Sequence, residues 1–308
     1  MAASGDAVAL TMGASIRMTR AATMQKFAVL MVLGIWATGS ASGTTITVDG
    51  DLSDWGVTAS TVVDRADTAW APTMADWTTS WWAEDTTDWN SRGDGSVGPG
   101  YGGQNFDVEA AYMTSANSVL YGAFVSGFDR AGQSGWNGSG WYSTGDLFFD
   151  LGGNGTWDFA IALSTHDGFL EGCAYIPSSA GTWYTTPTDF AASAPAQLLS
   201  GVTFTELSGV QYAYHEGTSS EKPYASEKTS DYSGADHNIV EFSLDDVDLH
   251  YAFPSLFSGT SVVMHYTQTC GNDVLDLPGI VVYTPEPATA ALLALGVVAA
   301  YARRRRTA

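Results

Sequence analysis

Asn105-Phe106-Asp107-Val108-Glu109-Ala110-Ala111-Tyr112 alternates between apolar and acidic residues, and its reading decides the fold. Successive side chains of an extended chain point to opposite faces. Phe106, Val108, Ala110 and Tyr112 therefore share one face, with Asp107 and Glu109 on the other, the pattern of a half-buried strand. Thr114-Ser115-Ala116-Asn117-Ser118 supplies turn chemistry, and Val119-Leu120-Tyr121-Gly122-Ala123-Phe124-Val125 returns as the partner strand. A second hairpin runs from Asp146-Leu147-Phe148-Phe149-Asp150-Leu151 through the turn Gly152-Gly153-Asn154-Gly155 into residues 156–163. Working outward, strands are expected at residues 44–48, 60–64, 170–176, 202–207, 211–215, 239–244, 261–267 and 280–283. One short helical turn is expected at 243–246. Many short strands separated by turn signals predict an all-β domain, a two-sheet antiparallel β-sandwich of jelly-roll type.

One stretch breaks the rhythm. Residues 65–104 hold Trp70, Trp77, Trp81, Trp82 and Trp89, several aspartates and a glycine-rich run from 93 to 103, without sustained alternation. A loop this long is expected to be functional or to pack across a sheet. Trp77, Trp81, Trp82 and Trp89 are candidate sugar-binding residues, because flat C–H faces of sugars stack on aromatic rings while nearby Asp, Asn and Gln meet the hydroxyls. The same residues read equally well as anchors that hold the loop down. Trp136 and Trp141, in a Gly/Ser-rich stretch, form a second candidate pair.

The two ends are of a different kind. From Met24, MQKFAVLMVLGIWATGSASG carries an early Lys26, an apolar stretch and small residues at Gly39, Ala41 and Gly43, as a secretory signal peptide does. Residues 1–23 read as an extended leader or as a start assigned too far upstream. At the other end, Pro285-Glu286-Pro287 precedes an uncharged run from Ala288 to Ala302, followed by Arg303, Arg304, Arg305 and Arg306. The run is shorter than the ~20 residues that span a bilayer comfortably, and the arginines are expected to stay on the cytoplasmic side. The chain thus divides into 1–23, a signal helix at 24–42, a secreted domain at 43–284, and a tail at 285–308 containing a short transmembrane helix.

This tail resembles the PEP-CTERM sorting signal. The resemblance implies secretion, transient anchoring in the inner membrane, processing by an exosortase-type transpeptidase, and delivery to the cell surface or extracellular matrix. A second resemblance lies in Thr45-Ile46-Thr47-Val48-Asp49-Gly50-Asp51-Leu52-Ser53-Asp54-Trp55, which looks like the opening strand and turn of carbohydrate-binding family 9-like β-sandwich domains. It implies a tight turn at Asp49-Gly50 and a Trp55 packed on the core. Three further blocks, at 99–109, 145–150 and 265–273, look like segments recurring in PEP-CTERM surface proteins.

Charge narrows the functions. The whole chain carries 33 acidic and 12 basic residues. Asp6 and Glu286 among the acids, and Arg17, Arg20, Lys26 and the four tail arginines among the bases, lie outside 43–284, so the domain holds 31 acids and five bases. Such a domain is not expected to bind nucleic acid, where Lys and Arg neutralise phosphate. A structural calcium is the candidate cofactor, with Asp49, Asp51 and Asp54 as first ligand set and Asp150, Asn154 and Asp158 as second. Ordinary turn chemistry explains the same residues. Cys173 and Cys270 are the only cysteines; in an oxidising compartment they are a candidate disulfide, with two free thiols as the alternative.

Catalytic patterns are missing from the sequence. The five histidines, His166, His215, His237, His250 and His265, make no H-E-x-x-H, and neither G-x-S-x-G nor a phosphate loop occurs. Gly98-Pro99-Gly100-Tyr101-Gly102-Gly103 fits G-x-G-x-x-G but lacks βαβ surroundings. Carboxylate pairs such as Asp107/Glu109 and Asp146/Asp150 arise by chance among 31 acids. The expectation is a non-catalytic surface protein whose partner is exopolysaccharide or another matrix component. A purely structural matrix protein and, behind it, a glycan-active hydrolase are the alternatives.

Overall fold

The computed structural model describes residues 46–57, 71–73, 79–83, 106, 108–116, 119–134, 140–179, 181–189, 193–216, 238–254, 260–280, 295–296 and 303–304. Strand β2 (Val108–Ala116) carries the alternation that opens the sequence, but it is buried on both faces rather than one. Both faces are covered, and a β-bulge changes which residues point to each. The register with β3 (Val119–Ser126) passes from Val108↔Ser126 directly to Ala110↔Val125, so Glu109 is the extra residue. A bulge of this kind reverses the facing of whatever precedes it. Val108, Ala111 and Met113 consequently join one apolar cluster, while Ala110 and Tyr112 join another on the opposite side.

Thr44–Pro285 form one compact unit. Within it, β1 (Ser80–Ala83), β2, β3, β12 (Val210–His215) and β13 (Asn238–Asp245) build a five-stranded sheet in the order β1-β2-β3-β13-β12. A six-stranded sheet combines β6 (Asp146–Leu151), β7 (Phe159–Ala162), β8 (Ala174–Pro177), β11 (Phe204–Leu207), β14 (Ser261–Thr267) and β15 (Val274–Ile280), in the order β11-β8-β7-β6-β14-β15. Two short ribbons, β4 (Gln133–Ser134) with β5 (Trp141–Tyr142) and β9 (Tyr184–Thr185) with β10 (Gln197–Leu198), flank them. Every pairing is antiparallel.

The two large sheets share a core. Phe124 of one meets Tyr266 of the other with ring centres 4.7 Å apart, and Phe242 meets Phe149 edge-on at 5.5 Å. Phe242 lies flat on the backbone of Gly122, where any Cβ would stand 2.1 Å from the ring. Burying each such side chain contributes about 2 kcal/mol, so the twenty-odd residues of this cluster are the main driving force for the fold.

The outer face of the five-stranded sheet is covered as well, by residues 46–57. Asp51 caps a 3-10 turn at Leu52–Trp55 and Gly56 ends it at φ 73°. Ile46, Leu52, Trp55 and Val57 then pack on Ala110, Tyr112, Ala123, Val125 and Ile239. Glu241 of β13, fully buried, binds this segment: its carboxylate accepts from Trp55 Nε1 at 2.8 Å, Asp49 N at 3.0 Å and Gly50 N at 2.6 Å. Burial raises its pKa, and the three hydrogen bonds oppose that rise.

Several expectations are corrected. Residues 46–48 are not a strand. The stretch 65–104 contains strand β1, an edge strand carrying Trp81 and Trp82. The helical turn expected at 243–246 is a helix, α1 (Asp246–Ala252), because residues 243–245 are drawn into pairing with β3 and β12. The last strand covers Val274–Ile280, through Pro278-Gly279; as an edge strand it tolerates a residue with no N–H to donate. The cysteines are both free. They belong to different clusters, Cys173 against the group of Phe148, Phe169 and Trp183, and Cys270 among Phe106, Phe128 and Tyr142. Burial pushes the Cys270 thiol up to about 11, which suppresses the reactive thiolate. The signal helix at 24–42 lies outside the described residues.

Glu241→Ala leaves an indole N–H, a buried amide at Gly50 and a part-buried one at Asp49 without an acceptor and is expected to cost about 3 kcal/mol or more, read from urea unfolding of the full chain in mild detergent. Asp51→Ala, which removes only the cap, is expected to cost about 1 kcal/mol in the same measurement. Alkylation of the denatured, unreduced chain is expected to modify both cysteines.

Candidate functional site

The tryptophans proposed for sugar contact are separated by the pleat. In β1, Trp81 pairs with Tyr112 and Trp82 with Ala111, so the two rings leave opposite faces of the sheet. Trp82 turns inward and packs against the shared core. Trp81 stands on the outer face and remains 38% exposed. Trp77 and Trp89 lie outside the described residues. Trp141 of β5 is 68% exposed and lies over Gly132, where an added Cβ would come within 2.7 Å of its Nε1. Among the described residues the outward aromatic rings are therefore Trp81 on one sheet edge, Trp141 on a separate ribbon and Tyr251 of α1.

The aspartate clusters are turn-builders. Asp49 Oδ1 accepts from Asp51 N, Asp51 Oδ1 from Ser53 N and Asp54 Oδ2 from Thr47 N, each at 2.9 Å. In the β6–β7 turn, Asp150 accepts from Asn154 N and Gly155 N, and Asp158 Oδ2 accepts from Leu151 N at 2.6 Å. Burial pushes the Asp158 carboxyl up; the Leu151 amide opposes this, and the charge of Asp150 adds to it. Among the described residues no group of three or more His, Cys, Asp or Glu converges in a way that could hold a metal ion. At Asp49, Asp51 and Asp54 each carboxylate is engaged with a different backbone amide, which is turn chemistry.

Sequence reasoning missed the outer face of the six-stranded sheet, where two histidines meet carboxylates. Asp146, fully buried in β6, accepts from Leu163 N at 3.1 Å and Leu198 N at 2.7 Å, and His166 Nε2 lies 3.0 Å from its Oδ2. Burial works against a charged His166, but the bonded Asp146 carboxylate and the nearby Asp167 outweigh it and raise its pKa. His265, buried in β14, has Nδ1 2.8 Å from Asp276 Oδ1 and Nε2 2.9 Å from the Pro195 carbonyl oxygen. Residues 183–189 and 193–199 cross this face as a strap over Phe148, Ala160 and Ala162. The strap is tied down further by Asp146 N to Ala196 O at 2.8 Å and Tyr142 Oη to Asp189 at 2.6 Å, and its two legs are joined by Leu199 N to Trp183 O at 3.0 Å. A histidine in the sequence gives no sign of its partner when the carboxylate is twenty residues away, as with Asp146. These pairs can hold protons and fix backbone; Asp146 is already taken by two amides.

Of the tail, Leu295–Gly296 and Arg303–Arg304 are helical and exposed. Pro285, Glu286, Pro287, Arg305 and Arg306 lie outside the described residues, and among those described no helix is long and apolar enough to cross a membrane. Residues 284–306 match the family model of the PEP-CTERM protein-sorting motif. The motif marks a protein that an exosortase-type enzyme processes at the membrane and sorts to the cell surface or extracellular space. No curated protein and no solved structure matches the chain, and the family 9-like resemblance of residues 45–55 gains no support from these comparisons.

Proposed function

We propose that the protein is a secreted, non-catalytic β-sandwich of jelly-roll type that associates at the cell surface with exopolysaccharide or another matrix component. The sorting motif at 284–306 carries this reading. An N-terminal leader at 24–42 and a domain of 31 acids against five bases support it, since both suit export to an aqueous exterior rather than a nucleic-acid partner. The aromatic surface for a polysaccharide is Trp81 and Trp141, each with its ring turned to solvent on a β-rich scaffold. A hydrolase is disfavoured because Asp146 and Asp150, the buried acids nearest in sequence to a catalytic pair, are engaged with backbone amides. The reading in which the domain is a purely structural matrix component differs only in lacking a discrete ligand.

In the source cells the full chain is expected to be shortened at its C-terminus in an exosortase-dependent way. A chain lacking residues 285–308 is expected to escape that processing, as followed by immunoblot against the domain. Retention of the full chain on the cells' own exopolysaccharide is expected to weaken about tenfold in a Trp81→Ala/Trp141→Ala double variant, equivalent to about 1.4 kcal/mol of lost stacking. Unchanged retention would leave the structural-matrix reading standing.

A further inference from the structure

Trp141 is 68% exposed and joins none of the apolar clusters formed by the described residues, yet its ring is seated. It stands on β5 opposite Ser134 of β4, with one edge of the indole on Gly132. A Cβ at Gly132 would stand 2.7 Å from Trp141 Nε1 and 3.1 Å from Cε2, and the backbone there has φ 84°, so glycine serves both the turn and the ring. The turn beneath is fixed by Gly132 N, which donates to Asp129 O at 2.9 Å, and by Ala131 N, which donates to Asp129 Oδ1 at 2.7 Å. A ring so exposed adds little to the burial that drives folding. Held in one orientation on a tight turn, it is preorganised for a ligand that stacks.

Charge decides which ligand. Among the described residues of the domain Arg130 is the only lysine or arginine, and its guanidinium is already engaged: it donates to Glu171 Oε1 at 2.8 Å and lies 4.4 Å from the centre of the Tyr214 ring. Glu171 offsets Arg130, which leaves the Asp129 carboxylate in the turn that seats the indole. Over the whole domain 31 acids stand against five bases. A polymer of uronic acids brings a carboxylate on every sugar and meets like charge. A glycan with unsubstituted amines meets the opposite sign, and its ammonium groups are themselves attracted to the face of an indole. We propose that, within the reading of the domain as a polysaccharide binder, the ligand is an amine-bearing glycan, a polymer containing de-N-acetylated hexosamine, which stacks on Trp141 with Asp129 as counter-charge. The C–H face of the sugar and its ammonium both find the same ring, and this separates such a glycan from a lysine-rich protein, which offers the charge without the flat face.

Retention of the full chain in mild detergent is measured on a (1→4)-linked glucosamine polymer, on the same polymer fully N-acetylated, on a polyuronate and on immobilised polylysine. The free-amine polymer is expected to retain the chain about tenfold more strongly than the acetylated one, and the polyuronate not at all. Trp141→Ala leaves the net charge unaltered, so the roughly tenfold weakening expected on the free-amine polymer reports the ring and not bulk attraction. Asp129→Asn keeps an acceptor for Ala131 N and removes the charge; it is expected to weaken retention on the free-amine polymer about threefold and to leave the acetylated polymer unaffected. An unchanged thermal midpoint in both variants checks that each is folded. Trp141-dependent retention that is equal or stronger on the acetylated polymer, the polyuronate or polylysine would overturn the amine-bearing ligand while leaving an aromatic binding surface in place. The absence of Trp141-dependent retention on every glycan would overturn it together with the part Trp141 plays in polysaccharide binding.

Discussion

The Glu241 carboxylate takes three hydrogen bonds from a segment 192 residues away, and through them it turns one face of a sheet from surface into interior. An antiparallel sheet packed on a partner sheet needs only one apolar face. Here the five-stranded sheet has two, and residues 46–57 are held against the second. A buried carboxylate is unfavourable by itself, as the upward shift of Glu241 records, and it is tolerable because two backbone amides and an indole N–H converge on it. Trp55 completes the arrangement by filling the space over Tyr112, ring centres 5.6 Å apart, while donating its polar atom to the acid below.

The same solution recurs at Asp273, Asp146 and Asp150. With 31 acidic and five basic side chains in the domain, ion pairs cannot satisfy the carboxylates, so backbone N–H groups do. Asp273 takes Val108 N at 2.6 Å and so fixes the start of β2 to the β14–β15 turn; Gln268 donates to Phe106 O beside it. Asp146 joins β6 to the strap, and Asp150 closes the β6–β7 turn. A bond to a charged carboxylate is worth about 1.5 to 3 kcal/mol, more than a neutral pair such as that of Gln268 with Phe106 O. Arg130 shows the contrast: its bond to Glu171 at 2.8 Å is half exposed, and its larger role is to lie over the Tyr214 ring at 4.4 Å.

What the sequence made legible follows from what local pattern encodes. Strands β6 and β14 fall where alternation and turn residues put them, and the Gly152-Gly153-Asn154-Gly155 turn forms as read. The side-chain facing of β2 was misjudged because a bulge at Glu109 leaves no mark in periodicity; an acid at that point reads as a solvent-facing residue. β1 was hidden for another reason. Ser80-Trp81-Trp82-Ala83 is too short and too uniformly apolar at its centre to alternate, and it becomes a strand only through pairing with β2. The aspartates at 49, 51 and 54 do cluster, but composition alone does not say which backbone amides each of them takes. The histidine–carboxylate pairs were invisible altogether, since they depend on how the strap returns across the sheet.

Chain order adds a constraint that links fold to delivery. The segment that covers the five-stranded sheet lies at 46–57, its anchor is Glu241, and the six-stranded sheet is finished by β15, which ends at Ile280. No part of either sheet is therefore complete in isolation: β2 needs Asp273, the covering segment needs β13, and β14 needs β15 as a neighbour. Contacts of this sequence separation form late, because loop closure must precede them. The sorting motif begins at residue 284, C-terminal to β15. Any machinery that moves the chain from its N-terminus thus passes every residue of the domain before it meets the apolar run and the arginines. The polypeptide can cross as an unfolded chain and close its long-range contacts only on the far side. Buried acids that take backbone amides of distant segments, as Glu241 and Asp273 do, suit that order of events, since their partners arrive only when the chain closes on itself.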